Sequence, residues 1–75
     1  YWLTYARLAT ALRDLDAVRE RYARVIDLEP SLVDAYDEWF RVESGVGDRA
    51  RACSLHNQLA ALTDAPPPRP AWCGQ

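Results

Sequence analysis

No lysine occurs in this 75-residue chain, and its nine basic residues are all arginine. With a formal net charge of −2 there is no cationic excess to neutralise phosphates, so direct nucleic-acid binding is not expected. Arginine still permits specific contacts, because a planar guanidinium holds carboxylates in a bidentate fork. Cysteine is almost absent too. Cys53 and Cys73 fit neither a zinc spacing nor a disulfide framework, so two free thiols are expected, with a reducing intracellular compartment favoured and the location otherwise open. No apolar run is long enough to cross a membrane, and no membrane contact is expected. His56 is the only histidine. Cys53 lies three residues before it, but the pair lacks a third, orienting group, so a packed, hydrogen-bonded imidazole is expected rather than a nucleophile and its base. Gly45-Val46-Gly47 follows no strand and is not a phosphate loop. The carboxylates are scattered over exposed helix faces, with no calcium-loop spacing and no acidic pair in an evident pocket. No enzymatic activity, cofactor or metal is expected.

What the chain does contain is one pattern written twice. Trp2, Tyr5, Ala6, Val18, Tyr22 and Val25 return 34 positions later as Tyr36, Trp39, Phe40, Ala52, His56 and Leu59. Such a period marks stacked helical units, each a helix–turn–helix that cannot bury its apolar face alone. Within the first unit, Trp2, Tyr5, Ala6, Ala9 and Leu12 recur at threes and fours on one helical face. Arg13-Asp14 breaks that helix, and Asp14 caps a second whose stripe is Leu15, Val18, Tyr22, Val25 and Ile26, ending near Leu28 ahead of Pro30. Ser31 with Asp34 reads as a capping box for a third helix, reaching about Glu43 before the loop Ser44-Gly45-Val46-Gly47. Asp48 caps the fourth, with Ala52, Leu55, His56, Leu59 and Leu62 inward. The aromatics Trp2, Tyr5, Tyr36, Trp39 and Phe40 are expected in the core rather than as base-stacking platforms.

The fold class is therefore all-α: two antiparallel helix–turn–helix repeats, stacked as part of an α-solenoid, with an extended Pro-rich C-terminal tail. Residues 1–63 form the repeat pair, divided as 1–30 and 31–63, and residues 64–75 form the tail. Pro66, Pro67, Pro68 and Pro70 lack N–H donors, so this tail cannot be helical. It reads as a linker, as a strand laid over the last helix by Trp72, or as a ligand for a proline-binding groove. Two units are few for an independent array, and Tyr1 rather than a methionine opens a helical pattern with no cap. A piece of a longer array or larger protein is expected, whose bare last helix face could drive self-association.

These residues resemble the tetratricopeptide family and its relative, the half-a-tetratricopeptide repeats of RNA-processing factors. Trp2, Ala6, Tyr22 and Pro30 match the first pattern, whereas Phe40 and Asp64 depart from it in unit two. Tyr36, Trp39, Glu43 and Gly47-Asp48 match the aromatic, aromatic, Glu, Gly-Asp pattern of the second family, which the opening Tyr1-Trp2-Leu3-Thr4-Tyr5-Ala6-Arg7-Leu8 also resembles. Ala9 and Cys53 stand where that family has Glu and Arg. The resemblance implies a protein-interaction scaffold that binds a partner peptide or subunit on a concave face. Arg7 and Arg41, 34 apart, would lie on that face with Leu3, Thr10 and Asp37 as neighbours; alternatively the two arginines are solvated or paired with Asp34, Asp37 and Glu38. Other readings are a scaffold subunit of a splicing or RNA-processing complex, and the regulatory repeat segment of an enzyme whose catalytic domain follows the tail.

Overall fold

In a computed structural model, residues 2–73 are described; Tyr1, where the resemblance to the RNA-processing repeats begins, and Gly74 and Gln75 of the tail lie outside them. Four helices follow one another, α1 Trp2–Ala11, α2 Leu15–Leu28, α3 Val33–Val46 and α4 Arg49–Leu62, with a short 3₁₀ turn at Ala71–Cys73 and no strand among the described residues. Shifted by 34 residues, α2 superimposes end for end on α4. The period read from the sequence is thus a period of helices.

Both second helices start on an aspartate, as their sequences require. Asp14 accepts the Ala17 N–H at 3.1 Å and Asp48 the Ala50 N–H at 2.9 Å, each satisfying a donor that the first turn leaves without a helical partner. The third helix differs from expectation. It begins at Val33 after Leu32, with no side-chain cap, so Ser31 and Asp34 form no capping box. It also runs past Ser44 and Gly45 to Val46, leaving only Gly47 and Asp48 between helices. Gly45 has open space around it and is simply absorbed into the helix.

Packing joins α1 to α2, α2 to α3 and α3 to α4. Ala6 and Ala9 let α1 sit close on α2, and Val18, Tyr22, Val25, Ala35, Tyr36, Trp39, Phe40, Ala52, Leu55 and Leu59 make one contiguous core. Tyr36 donates its hydroxyl to the Pro30 carbonyl at 3.0 Å and so pins the α2–α3 connection. Tyr36, Trp39 and Phe40 are core as expected, but Trp2 and Tyr5 are not: they are 40% and 46% exposed, and Leu12 is 68% exposed. The close packing of α2 is on the Ala6–Ala9 side of α1, and it meets Trp2 and Tyr5 through long arginine side chains rather than through the core. The two outward rings lie instead beneath Arg24, 5.6 Å from the Trp2 ring centre, and Arg21, 3.4 Å from that of Tyr5. Leu62, expected inward, is likewise exposed.

The thiols also depart from expectation, because Cys53 and Cys73 are joined in a disulfide and no free cysteine remains. Their side chains meet because the tail folds back along α4 rather than leaving it. His56 Nε2 donates to the Pro67 carbonyl at 2.8 Å, which presents the packed histidine the sequence suggests. Arg69 donates to Asn57 Oδ1 at 2.6 Å, and Arg49 lies 5.3 Å from the Trp72 ring centre. The α4 face is therefore covered, not bare. Free thiols were the ground for favouring a reducing compartment, and that ground is removed.

Trp39→Ala should lower unfolding free energy by about 3–5 kcal/mol in a denaturant titration, whereas Trp2→Ala, at a half-covered position, should cost less than about 1.5 kcal/mol. Equal losses would contradict the division between core and outward aromatics.

Candidate binding groove

Two carboxylates on α3 organise the surface between the hairpins. Glu38 accepts from Arg7 on α1 through Nε at 2.9 Å and Nη2 at 2.7 Å, and from the Tyr22 hydroxyl on α2 at 2.8 Å. Three helices meet at that one side chain. Burial pushes the Tyr22 phenol up to about 12, so it remains a donor at neutral pH. Burial would also raise Glu38, but the bonds from Arg7 and Tyr22 outweigh it and hold the carboxyl below its ordinary value.

Glu43, one and a half turns further on, is wholly buried. Its oxygens accept from Arg19 Nε at 2.9 Å and Nη2 at 3.1 Å, from Trp39 Nε1 at 2.9 Å and from the Asp48 N–H at 2.8 Å, with Arg51 Nε 3.8 Å away. Burial raises its pKa, and those donors, Arg19 first, more than reverse the effect, leaving it below the usual carboxylate range. Gly47 is required by this arrangement, since a Cβ there would collide with the Glu43 side chain.

Beside these anchors runs a surface groove made of two adjoining clefts, of about 410 Å³ and about 240 Å³, which share Thr10, Arg41 and Val42. Leu15, Val18, Val42 and Val46 give the larger cleft an apolar lining, and Arg13 and Arg41 stand at its edge. Of the residues singled out from sequence, Arg7, Thr10 and Arg41 are brought together here. Leu3 is not; it lines a separate cleft with Trp2 and Leu32. Asp37 lines neither part of the groove, and its Oδ1 accepts from Arg41 Nε at 3.0 Å, four residues along α3. Thr10 donates its hydroxyl to the Ala6 carbonyl at 3.3 Å.

Arg13 was legible only as a break between helices. Its backbone is left-handed, at φ 58°, the only non-glycine with positive φ among the described residues. The Asp14 N–H reaches back to the Ala9 carbonyl at 3.1 Å, closing the end of α1 in the manner glycine usually permits. Its counterpart 34 residues on is Gly47. A bulky cation where the repeat places glycine is the signal that could have marked Arg13. It has no ion-pair partner among the described residues, whereas Arg7 is held by Glu38.

Among the described residues no helix is long and apolar enough to cross a membrane, and no group of three or more His, Cys, Asp or Glu side chains is placed to hold a metal. Comparison with known proteins returned no matching family model and no matching solved structure.

Glu43 and Glu38 both have folded-state pKa values below the ordinary 4.5, so their contribution to stability is present above that value and lost as pH falls through their folded values. Acid titration of the unfolding free energy should therefore fall steeply below about pH 4.5, with a shallower fall for Glu43→Gln. At neutral pH, Glu43→Ala should cost about 2–4 kcal/mol, because the Trp39 and Asp48 donors lose their acceptor inside the fold. An unchanged acid slope in the Gln variant would show that Glu43 does not carry the effect.

Proposed function

We propose that the chain is a protein-interaction module of tetratricopeptide-like type, part of an α-solenoid, that seats an acidic and partly apolar peptide segment of a partner in the Thr10–Arg41 groove. It acts by binding rather than by catalysis. The observation that carries this reading is Arg13, a cation kept in a left-handed conformation that costs about 1–2 kcal/mol for a side-chain-bearing residue, at the edge of an apolar groove. Strain retained at a surface position supports a role in recognition.

The electrostatics fit an anionic ligand. Arg41 is tied only by an exposed pair to Asp37, a spacing worth about 0.3–0.5 kcal/mol, so a ligand carboxylate can compete for its fork. Arg7 acts differently from Arg41 in this reading: its bidentate hold on Glu38 fixes the groove wall rather than offering a free charge. Val42 and Val46 supply the apolar contact, and Thr10 the polar one. Leu3 and Asp37 lie beside the ligand path rather than in it.

A second reading, the half-a-tetratricopeptide scaffold of an RNA-processing assembly, is favoured by one feature. Of the residues that carry that resemblance, Trp39, Glu43 and Gly47-Asp48 work as a unit, since Glu43 accepts from Trp39 and Asp48 and needs the space above Gly47. Such a scaffold also works through protein contacts, so the groove serves either reading.

The test is fluorescence anisotropy with a fluorescein-labelled peptide of alternating Glu and Leu. Arg41→Glu and Arg13→Glu should each weaken binding at least about tenfold, and added salt should weaken it further. Arg13→Gly should weaken binding while stabilising the fold by about 0.5–1 kcal/mol, because it relieves the left-handed strain. Affinity untouched by all three substitutions would remove the groove from the account.

A further inference from the structure

The tail occupies a position that the repeat itself identifies. Shifted back by 34, Cys53 corresponds to Arg19 and His56 to Tyr22. Those are the α2 residues whose side chains reach across to α3, Tyr22 to Glu38 and Arg19 to Glu43. Their α4 counterparts reach the tail in the same order, His56 to Pro67 and Cys53 to Cys73. The tail thus lies on α4 where α3 lies on α2, and runs in the same direction. It is a strap in the seat of a helix.

The strap fills that seat incompletely. His56 is 5% exposed and its Nδ1 has no hydrogen-bond partner. Nε2 donates to the Pro67 carbonyl, and Nδ1 is left as an unpartnered polar atom in a buried environment.

The chain also carries the other half of this contact. α1 is the counterpart of α3, and its outward Trp2 and Tyr5 correspond to Tyr36 and Trp39 of the core, and Leu8 to Val42, which packs partly buried against it. Placed on α4 as α3 sits on α2, α1 would set Tyr5 against the His56 ring, as Trp39 stacks on Tyr22 with 6.4 Å between ring centres. Thr4, in the place of Glu38, would bring a hydroxyl donor to the imidazole. Ala9 and Cys53 stand where Glu43 and Arg19 pair, so the contact would not need that buried ion pair, and Arg21 and Arg24, which lie over the Tyr5 and Trp2 rings, would have to swing aside.

We infer that the α4 face is a docking seat for α1 of a second copy of this chain, and that the strap blocks it while the Cys53–Cys73 disulfide stands. A dithiol opens the seat by two thiol–disulfide exchanges. Its first thiolate attacks one sulfur and breaks the S–S bond, and its second closes the reagent into a ring. Two electrons and two protons pass to Cys53 and Cys73, which become thiols. The resulting contact joins unlike faces, so assembly is head to tail, growing into a ring or a filament rather than stopping at a two-fold dimer.

The test is sedimentation equilibrium of the 75-residue chain, oxidised, reduced with dithiothreitol, and as the Cys53→Ser/Cys73→Ser double variant. The oxidised chain should remain monomeric across concentrations. The reduced chain and the double variant should at least roughly double in weight-average mass as concentration rises, and Tyr5→Glu should return both to monomer. A reduced chain with two titratable thiols that stays monomeric would overturn the inference. So would association of the oxidised chain to the same extent, or assembly indifferent to Tyr5→Glu. Loss of helical circular dichroism on reduction would overturn it too, because the seat requires α4 to keep its shape without the strap.

Discussion

The carboxylate of Glu43 is the interaction on which the arrangement of the two hairpins depends. It sits on α3, yet its acceptor sites are taken by a guanidinium from α2, an indole from its own helix and the backbone at the start of α4. A buried charge costs several kcal/mol to desolvate unless its lone pairs are satisfied, and here each oxygen has two donors at hydrogen-bond distance. Apolar packing alone would tolerate sliding of α2 along α3. The carboxylate accepts one register only, because Arg19, Trp39 and Asp48 must reach it together. Glu38 repeats the device nearer the start of α3, with Tyr22 and Arg7, and adds α1 to the same frame. The groove beside Thr10 and Arg41 is shaped by that fixed register.

The two units share helices but not devices. Where unit two has Glu43 and Gly47, unit one has Ala9 and Arg13. The first exchange removes the buried acceptor and lets α1 sit close on α2; the second puts a strained cation at the groove edge. A symmetric pair of repeats would offer two equivalent faces. This chain offers a groove on one side, outward aromatics on α1, and a disulfide-held strap over α4.

Much of the fold was legible from residue spacing. The 34-residue period, the Asp14 and Asp48 caps and the end of α2 ahead of Pro30 are local effects, set by backbone donors and by proline, and they stand as read. What failed depended on neighbours. Periodicity puts Trp2 and Tyr5 on the same face as Ala6, but burial of a face requires something to cover it, and over these two rings α2 offers only the Arg24 and Arg21 side chains, which leave them half exposed. Gly45 reads as a stop, yet a helix held by Glu43 beyond it absorbs the glycine. The disulfide escaped because Cys73 lies in a segment whose path back along α4 is set by His56 and Asn57, not by anything local. Of the residues lining the groove, Arg7 and Arg41 were singled out by their 34-residue spacing and Thr10 as a neighbour implied by the family resemblance, while Arg13 read as punctuation, because its left-handed backbone leaves no mark in the sequence.

The central claim is that one ionised, buried carboxylate binds α2, α3 and the start of α4 together. Its most direct measurement is an NMR pH titration following the Trp39 indole N–H, the Arg19 Nε–H and the Asp48 amide. The account predicts that all three resonances are shifted as hydrogen-bonded donors and move together with one midpoint below the ordinary carboxylate value of 4.5. Three separate midpoints, or a common one at or above that value, would contradict it.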